Sequence, residues 1–360
     1  MRKPIYVTQP SLAPLPEFVA YLETVWRTGV MTHNGPLMQR LERELCAHLG
    51  VPDMICLANG TCAMQLAMRA LNLSGEIITT PFTFIATANI IAWERCTPVF
   101  VDIDPATWNL DPNRIEEAIT ERTVGILPVH VFSAPCDIRR IQQIADKHGL
   151  KVVYDAAHAM DVQYQGQSVL NYGDVSCVSF HATKLFNTCE GGGCVARDAA
   201  LAARLRRMRF FGFNEAKDVV DDGMNAKMTE VSAALGLANL PHLEAVKRER
   251  RAKYELYMRM LGECSFVTFQ GFDPQEYNYS YMPVVFDSED RLLRIEKALL
   301  AEKVFPRRYF HPSLNTLSIY KNSPSLAISE RVARMVLCLP LYSGLAESDI
   351  EFICGIIQRC

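Results

Sequence analysis

A lysine set between an apolar run and a glycine run is the first chemical signal in this chain. It lies in Ser179-Phe180-His181-Ala182-Thr183-Lys184-Leu185-Phe186-Asn187-Thr188-Cys189-Glu190-Gly191-Gly192-Gly193. The run Val175-Ser176-Cys177-Val178-Ser179-Phe180 is uncharged and partly β-branched, so it reads as a buried strand. A lysine amine at a strand end can form a Schiff base with a carbonyl. It does so only where its surroundings help it lose a proton. The glycines let backbone pass close to another group. The competing reading is a solvated loop lysine, because long charged side chains mostly stay exposed.

Three other stretches could contribute chemistry. Asp155-Ala156-Ala157-His158-Ala159 closes a strand over residues 151–154. An aspartate at the carboxyl end of a buried strand is costly unless a cation meets it, and a protonated ring nitrogen would serve. An aspartate that caps the next turn is the alternative. Asn59-Gly60-Thr61 joins a strand at 54–58 to an apolar helix at 62–73. Strand, glycine turn and helix aim free N–H groups at an anion. The stretch has neither a Walker lysine nor G-x-G-x-x-G, so a single phosphate suits it, as does an ordinary βα turn. Pro81-Phe82-Thr83-Phe84 places two aromatics after a strand at 76–80; they read as core or as ring stackers.

Those residues need a scaffold. A length of 360 residues suggests two domains. Hydrophobic residues at 49% and charged residues at 21% give the balance of a soluble globular protein. A net charge of −3 supplies no basic field for nucleic acid. The start shows no signal-peptide pattern, and no stretch approaches the roughly 20 apolar residues of a membrane span. The 12 cysteines are scattered without Cys-x-x-Cys pairs. Cys56, Cys177 and Cys338 sit in apolar segments, which predicts buried free thiols in a reducing cytoplasm. His and Cys spacings do not repeat as ligand pairs, so no metal is expected.

Helical periodicity predicts helices at 16–26, stopped by Gly29, and at 37–49, stopped by Gly50. Strands at 76–80, 98–101, 124–129 and 151–154 alternate with helices at 85–95, 114–120 and 138–148. That alternation predicts a mostly parallel sheet covered on both faces, with ligands at the strand carboxyl ends. A basic helix at 198–209 reads as a solvated face. A small-residue helix at 231–240 leads to a long charged helix at 242–261. Beyond it, strands at 265–269 and 281–286 and helices at 290–302 and 329–336 predict a small α+β domain.

With these residues placed, the sequence resembles the DegT-type sugar aminotransferases, pyridoxal-phosphate enzymes of the aspartate-aminotransferase fold (fold type I). The resemblance spans essentially the whole chain. The stretches already quoted carry it, together with Asn225-Ala226-Lys227-Met228. It implies a large, mostly parallel α/β/α domain at 1–240, N-terminal segment included, and a linking helix with a small C-terminal α+β domain at 241–360. It implies pyridoxal 5'-phosphate bound to Lys184, which also carries protons during transamination. Asp155 would hold the pyridine nitrogen protonated, which makes the ring an electron sink. Phe84 would stack on the ring, and His158 would lie near the ring oxygen or support Asp155. Gly60, Thr61 and Ser179 would hold the phosphate. Asn225 matches a position that reaches the phosphate across a homodimer interface, which gives shared active sites.

Val7-Thr8-Gln9-Pro10-Ser11-Leu12-Ala13-Pro14-Leu15 and Arg307-Arg308-Tyr309-Phe310-His311-Pro312 resemble a narrower group. These are nucleotide-linked keto-sugar aminotransferases. The likeness implies L-glutamate as donor and C4 of dTDP-4-keto-6-deoxyglucose as acceptor, with C3 of a 3-keto isomer as the alternative. Lys227, Arg308, Tyr309 and His311 are the implied substrate contacts. Many family members carry arginine where Lys227 stands, and lysine cannot grip a carboxylate bidentately. The family's dehydratase branch has histidine at the position of Lys184. The implied setting is cytoplasmic deoxysugar synthesis for lipopolysaccharide O-antigen. A non-catalytic, cofactor-binding regulatory protein is the rival of another class. The joint presence of Lys184, Asp155 and the phosphate loop speaks against it.

Overall fold

The computed structural model describes residues 3–320 and 323–360. Its centre is a seven-stranded sheet. In chain order the strands are β1 (Ile55–Leu57), β2 (Glu76–Thr79), β3 (Thr97–Phe100), β4 (Thr123–Leu127), β5 (Lys151–Asp155), β6 (Val175–Ser179) and β7 (Gly192–Ala196). Their spatial order is β1-β7-β6-β5-β4-β2-β3. The run from β3 to β6 is parallel, as expected. β7 runs antiparallel to both β1 and β6. The strands from β4 to β6 are buried almost throughout, which is the pattern of a sheet covered on both faces.

The flanking helices follow their sequence signals closely. Helix Ile138–His148 buries Ile138, Ile141, Ile144 and Ala145 on one face, and the side chain of Asp137 caps its start. Each fully buried isoleucine contributes about 1.5–3 kcal/mol relative to an exposed one. Helices Leu15–Thr28 and Pro36–Leu49 end on Gly29 (φ 68°) and Gly50 (φ 63°), in the left-handed conformation that glycine adopts most readily.

Two expectations are corrected. The helix expected at 114–120 is two short 3-10 turns, Pro112–Arg114 and Glu116–Ala118. Ile119 is already extended (ψ 130°), so the chain leaves the turn before a full α-helix can form. The basic helix, Ala199–Met208, is not a solvated face. Arg206 is ion-paired with Glu42 and Asp53, while Arg204 and Arg207 both hold Asp221. Arg209, just beyond the helix, is buried against Glu42 at 2.5 Å.

The long helix Leu243–Leu261 leads to a three-stranded antiparallel sheet formed by Val267–Phe269, Met282–Phe286 and Val336–Leu339. Helices Glu289–Ala301, Ala327–Met335 and Glu347–Gln358 accompany it. The chain's first strand, Ile5–Tyr6, pairs with Val304–Phe305 and so joins this C-terminal part. Phe82 and Phe132 pack with Phe310, Val285 and Cys338 in one apolar cluster. That cluster ties the carboxyl side of the central sheet to the C-terminal sheet. No helix among the described residues is long and apolar enough to cross a membrane.

Candidate active site

A cavity of about 300 Å³ opens at the carboxyl ends of the parallel strands. Asp155 is the last residue of β5 and Ser179 the last of β6. Gly60 starts the helix Gly60–Ala70, two residues earlier than its apolar pattern suggested. Asn59 caps that helix by accepting from the Cys62 N–H at 2.8 Å. Gly60 and Thr61 therefore belong to the first helical turn, where N–H groups lack intrahelical acceptors. Both line the cavity, as do Ser179 and Lys184.

The glycine run beside Lys184 has a steric cause. A Cβ on Gly192 would lie 2.4 Å from the Gly60 nitrogen and 2.5 Å from the Asn59 carbonyl carbon. A Cβ on Gly60 would in turn meet the Ser179 Cβ at 3.1 Å. β7 thus packs backbone against backbone beneath the helix start. Any larger residue at Gly192 would push the anion-binding turn away from Ser179.

Asp155 is 4% exposed, and the hydrogen-bond donors to its carboxylate are neutral. Thr87 Oγ1 donates to its Oδ2 at 2.8 Å, and the Ala157 N–H donates to its Oδ1 at 3.0 Å. Thr83 and Thr87 hydroxyls are 2.9 Å apart, which extends the network. Burial raises the Asp155 carboxyl above its usual range, opposed by Thr87, Ala157 and the Lys184 charge. A carboxylate that is buried, oriented and short of a cation is what a protonated pyridine nitrogen would complete.

Lys184 stands in the same cavity. Its Nζ donates to Tyr281 Oη at 3.1 Å. It keeps some surface toward the cavity, while protein crowds it elsewhere. Burial pushes its amine down to about 8; Asp155 and Tyr309 push the other way. A substantial fraction of the amine is then neutral at mildly alkaline pH, as a nucleophile requires.

His158 is buried, and burial holds its ring well below the ordinary imidazole range. Its Nδ1 accepts from the Phe132 N–H at 3.2 Å, and its ring sits 4.6 Å from that of Tyr281. The partners that hold Asp155 are Thr87 and Ala157. The two aromatics after β2 divide: Phe82 is 0% exposed and belongs to the core, whereas Phe84 is 58% exposed and lines the cavity. Tyr309 lines it too.

Four other candidate residues lie elsewhere. Asn225 is exposed and accepts from Lys227 Nζ. Lys227 lies over the rings of Phe210 and Phe211, at 4.7 and 4.8 Å, on the rim of a separate groove. Arg308 and His311 line an adjoining groove of about 480 Å³ that shares Thr83, Phe84, Tyr309 and Phe310 with the cavity. The Arg308 guanidinium donates to Glu289 Oε1 at 2.9 Å and to the Arg334 carbonyl at 2.6 Å.

Sequence reasoning missed Thr87, Tyr281 and the cap at Asn59. Thr87 is the polar residue one turn into an apolar helix, a visible signal. Tyr281 precedes a strand far along the chain, and nothing local marks it.

The sequence matches the DegT/DnrJ/EryC1/StrS aminotransferase family over residues 15–358. It is 42% identical to the dTDP-4-amino-4,6-dideoxy-D-glucose transaminase of Shigella dysenteriae, over 100% of both chains. The Escherichia coli enzyme of the same name is 40% identical, over 97% of this chain and 96% of that one. Among solved structures, DesI, crystallised in the presence of its TDP-sugar product, superposes with a TM-score of 0.95. That match is 33% identical and covers 100% of this chain and 93% of DesI.

Proposed function

This chain belongs to the DegT/DnrJ/EryC1/StrS family of pyridoxal-phosphate-dependent nucleotide-sugar aminotransferases, and from that premise we propose that it aminates C4 of dTDP-4-keto-6-deoxyglucose with L-glutamate as donor. The product would be dTDP-4-amino-4,6-dideoxyglucose. One observation carries the chemistry: a lysine amine lowered to about 8 shares a cavity with a buried carboxylate held only by neutral hydrogen-bond donors and with the first turn of a helix. The full-length likeness to two enzymes of that name favours the acceptor.

The residues fit the cofactor at three points. The Gly60 and Thr61 N–H groups with the Ser179 hydroxyl suit a phosphate. Asp155 suits a pyridinium nitrogen, and Lys184 suits an aldehyde. When bound, pyridoxal phosphate supplies a carbonyl that captures amino groups and a ring that accepts electrons. Lys184 then takes the proton from Cα of the donor and returns one to the acceptor carbon. Asp155 keeps the ring nitrogen protonated, and Thr87 fixes the carboxylate that does so. Phe84, which lines the cavity, would stack on the bound ring. His158, neutral and accepting at Nδ1, keeps its remaining proton on Nε2 for an oxygen of the bound group.

The adjoining groove with Arg308 and His311 takes the nucleotide end of the sugar, with Tyr309 between the two. Because Arg308 is committed to Glu289, the exposed Arg307 on the same groove supplies a further positive charge. We assign the working form to a cytoplasmic homodimer in which Asn225 and Lys227 of the partner subunit complete each site. The expected setting is deoxysugar synthesis for lipopolysaccharide O-antigen. The test is turnover with glutamate on dTDP-4-keto-6-deoxyglucose and a 3-keto isomer, side by side. Faster turnover of the 3-keto sugar overturns the C4 assignment. An unchanged cofactor spectrum on mixing with glutamate overturns transamination itself.

A further inference from the structure

Behind Lys184 lies a second, smaller cavity of about 20 Å³. Thr183, the residue before the lysine, and Tyr281, its hydrogen-bond partner, form part of its wall. Thr8 and Ser280 form another part. The hydroxyl oxygens of both are fully enclosed and have no protein hydrogen-bond partner. Ser280 is 8% exposed overall. Two buried hydroxyls without partners cost about 1–3 kcal/mol each, a penalty native structures avoid by placing a water between them. A cavity of about one water's size, roughly 10–15 Å³ or more, with two or more polar partners meets the requirement for one.

The surroundings repeat the pattern. Arg250 is fully buried on the helix Leu243–Leu261. Its Nη1 donates to the Ser280 carbonyl at 3.3 Å, while its Nε and Nη2 have no protein partner. Ser280 thus stands between a guanidinium with spare donors and the small cavity. Val7 accepts from the Leu341 N–H at 3.0 Å, which pins the N-terminal segment beside the cavity's far wall.

We propose that this cavity is a binding site for one ordered water that bridges Thr8 Oγ1 and Ser280 Oγ and thereby fixes the wall that carries Tyr281. Thr8 and Ser280 are then positioning residues for Lys184, acting through Tyr281 rather than by touching substrate. The N-terminal segment thereby closes the back of the active site with a hydrogen bond delivered through water. The proposal rests on Lys184 being the reactive amine, and its test separates the two ideas. The groups that face Lys184 are Asp155, Tyr281 and Tyr309, with His158 beside Tyr281 and Arg250 behind it.

The experiment has two readouts on the full-length holoenzyme. A high-resolution crystal structure should place a water within hydrogen-bond distance of both hydroxyls. Ser280→Ala and Thr8→Val should each move the pH midpoint of the bound cofactor's absorbance by about half a unit, the scale of one lost neutral hydrogen bond. Each should also lower kcat about three- to tenfold with little change in KM for glutamate. Thr8→Ser, which keeps the hydroxyl, should restore both values. A dry cavity in the crystal overturns the water. Unchanged midpoints in folded Ser280→Ala and Thr8→Val overturn the positioning role. Neither result touches the assignment of Lys184, which peptide mapping decides independently.

Discussion

The Lys184 cavity and the Asn225–Lys227 ledge are built on opposite plans. In the cavity Asp155 is buried, Lys184 is open only toward the cavity, and both are oriented by their own chain. Asp155 is held by Thr87 and Ala157, and Lys184 by Tyr281. On the ledge, Asn225 is exposed, bonded to Lys227, and Lys227 rests on two phenylalanine rings. Burial raises the Asp155 carboxyl and lowers the Lys184 amine, and so tunes their reactivity; it lowers the Lys227 amine as well, but that group stands on the rim of a separate groove. The contrast teaches that the proton-transfer machinery is preorganised on buried strand ends and loops of one chain, whereas Asn225 and Lys227 stand outside that cavity on a more open surface.

The largest effect should come from removing the cavity's nucleophile. Lys184→Ala is expected to bind the cofactor and lose multiple turnover. Borohydride reduction of the wild-type holoenzyme, followed by peptide mapping, should label Lys184. A label on another lysine would move the chemistry out of this cavity and end the comparison.

Asp155→Asn comes next. The amide preserves shape but supplies no charge to hold a ring nitrogen protonated. We expect the cofactor to stay bound while kcat falls by about 10²–10³-fold, the size of losing one preorganised electrostatic partner. Near-normal kcat in a folded variant would make Asp155 a structural turn residue.

A third experiment asks whether the ledge serves the cavity of another chain. In the proposed homodimer, Lys184→Ala and a variant with a bulky residue at Asn225 are each inactive alone. Mixed, they should form heterodimers with one doubly damaged and one intact site. Activity should recover to about half the wild-type value per heterodimer if sites are independent. Heterodimers proven by differential tags yet inactive would confine Asn225 to its own chain.

The same contrast explains what was legible in the sequence. Asp155 is legible because it ends a buried strand, where a charge needs a reason, and Lys184 because it follows an uncharged strand closely and precedes a glycine run. The parallel strands and the helix Ile138–His148 followed from apolar periodicity and caps. β7 escaped because Gly192 and Gly193 supply no apolar side chain, although they form the floor under Gly60. The strand Val336–Leu339 and helix Glu347–Gln358 were not anticipated. Arg206 and Arg209 looked solvated because their partner Glu42 lies more than 160 residues away in sequence. Tyr281 and Thr87 acquire roles only once folding brings them to Lys184 and Asp155. Local pattern reports strand ends and turns, and at most an odd polar residue such as Thr87 in an apolar helix; it does not report which partner tertiary packing brings to it.

The smallest effect concerns how cavity residues tune one another. Burial lowers the Lys184 amine from 10.5 to about 8, and the Asp155 charge opposes that shift. In cofactor-free protein, Lys184 should therefore react with an acylating reagent with a pH midpoint near 8, whereas exposed lysines follow the usual value of about 10.4. Replacing Asp155 by asparagine removes a negative charge that favours the ammonium form. The midpoint should then fall, by about one unit or less, as expected for one charge acting across a partly screened protein interior. Lys227 on the ledge should respond little to the same substitution, because it faces a different groove. Peptide mapping of both lysines across a pH series measures the two midpoints in one experiment. A wild-type Lys184 midpoint close to the usual lysine value would mean that burial does not tune the cavity. An unchanged midpoint in the Asp155→Asn variant would mean that the carboxyl is already neutral beside Lys184 and lends it no charge.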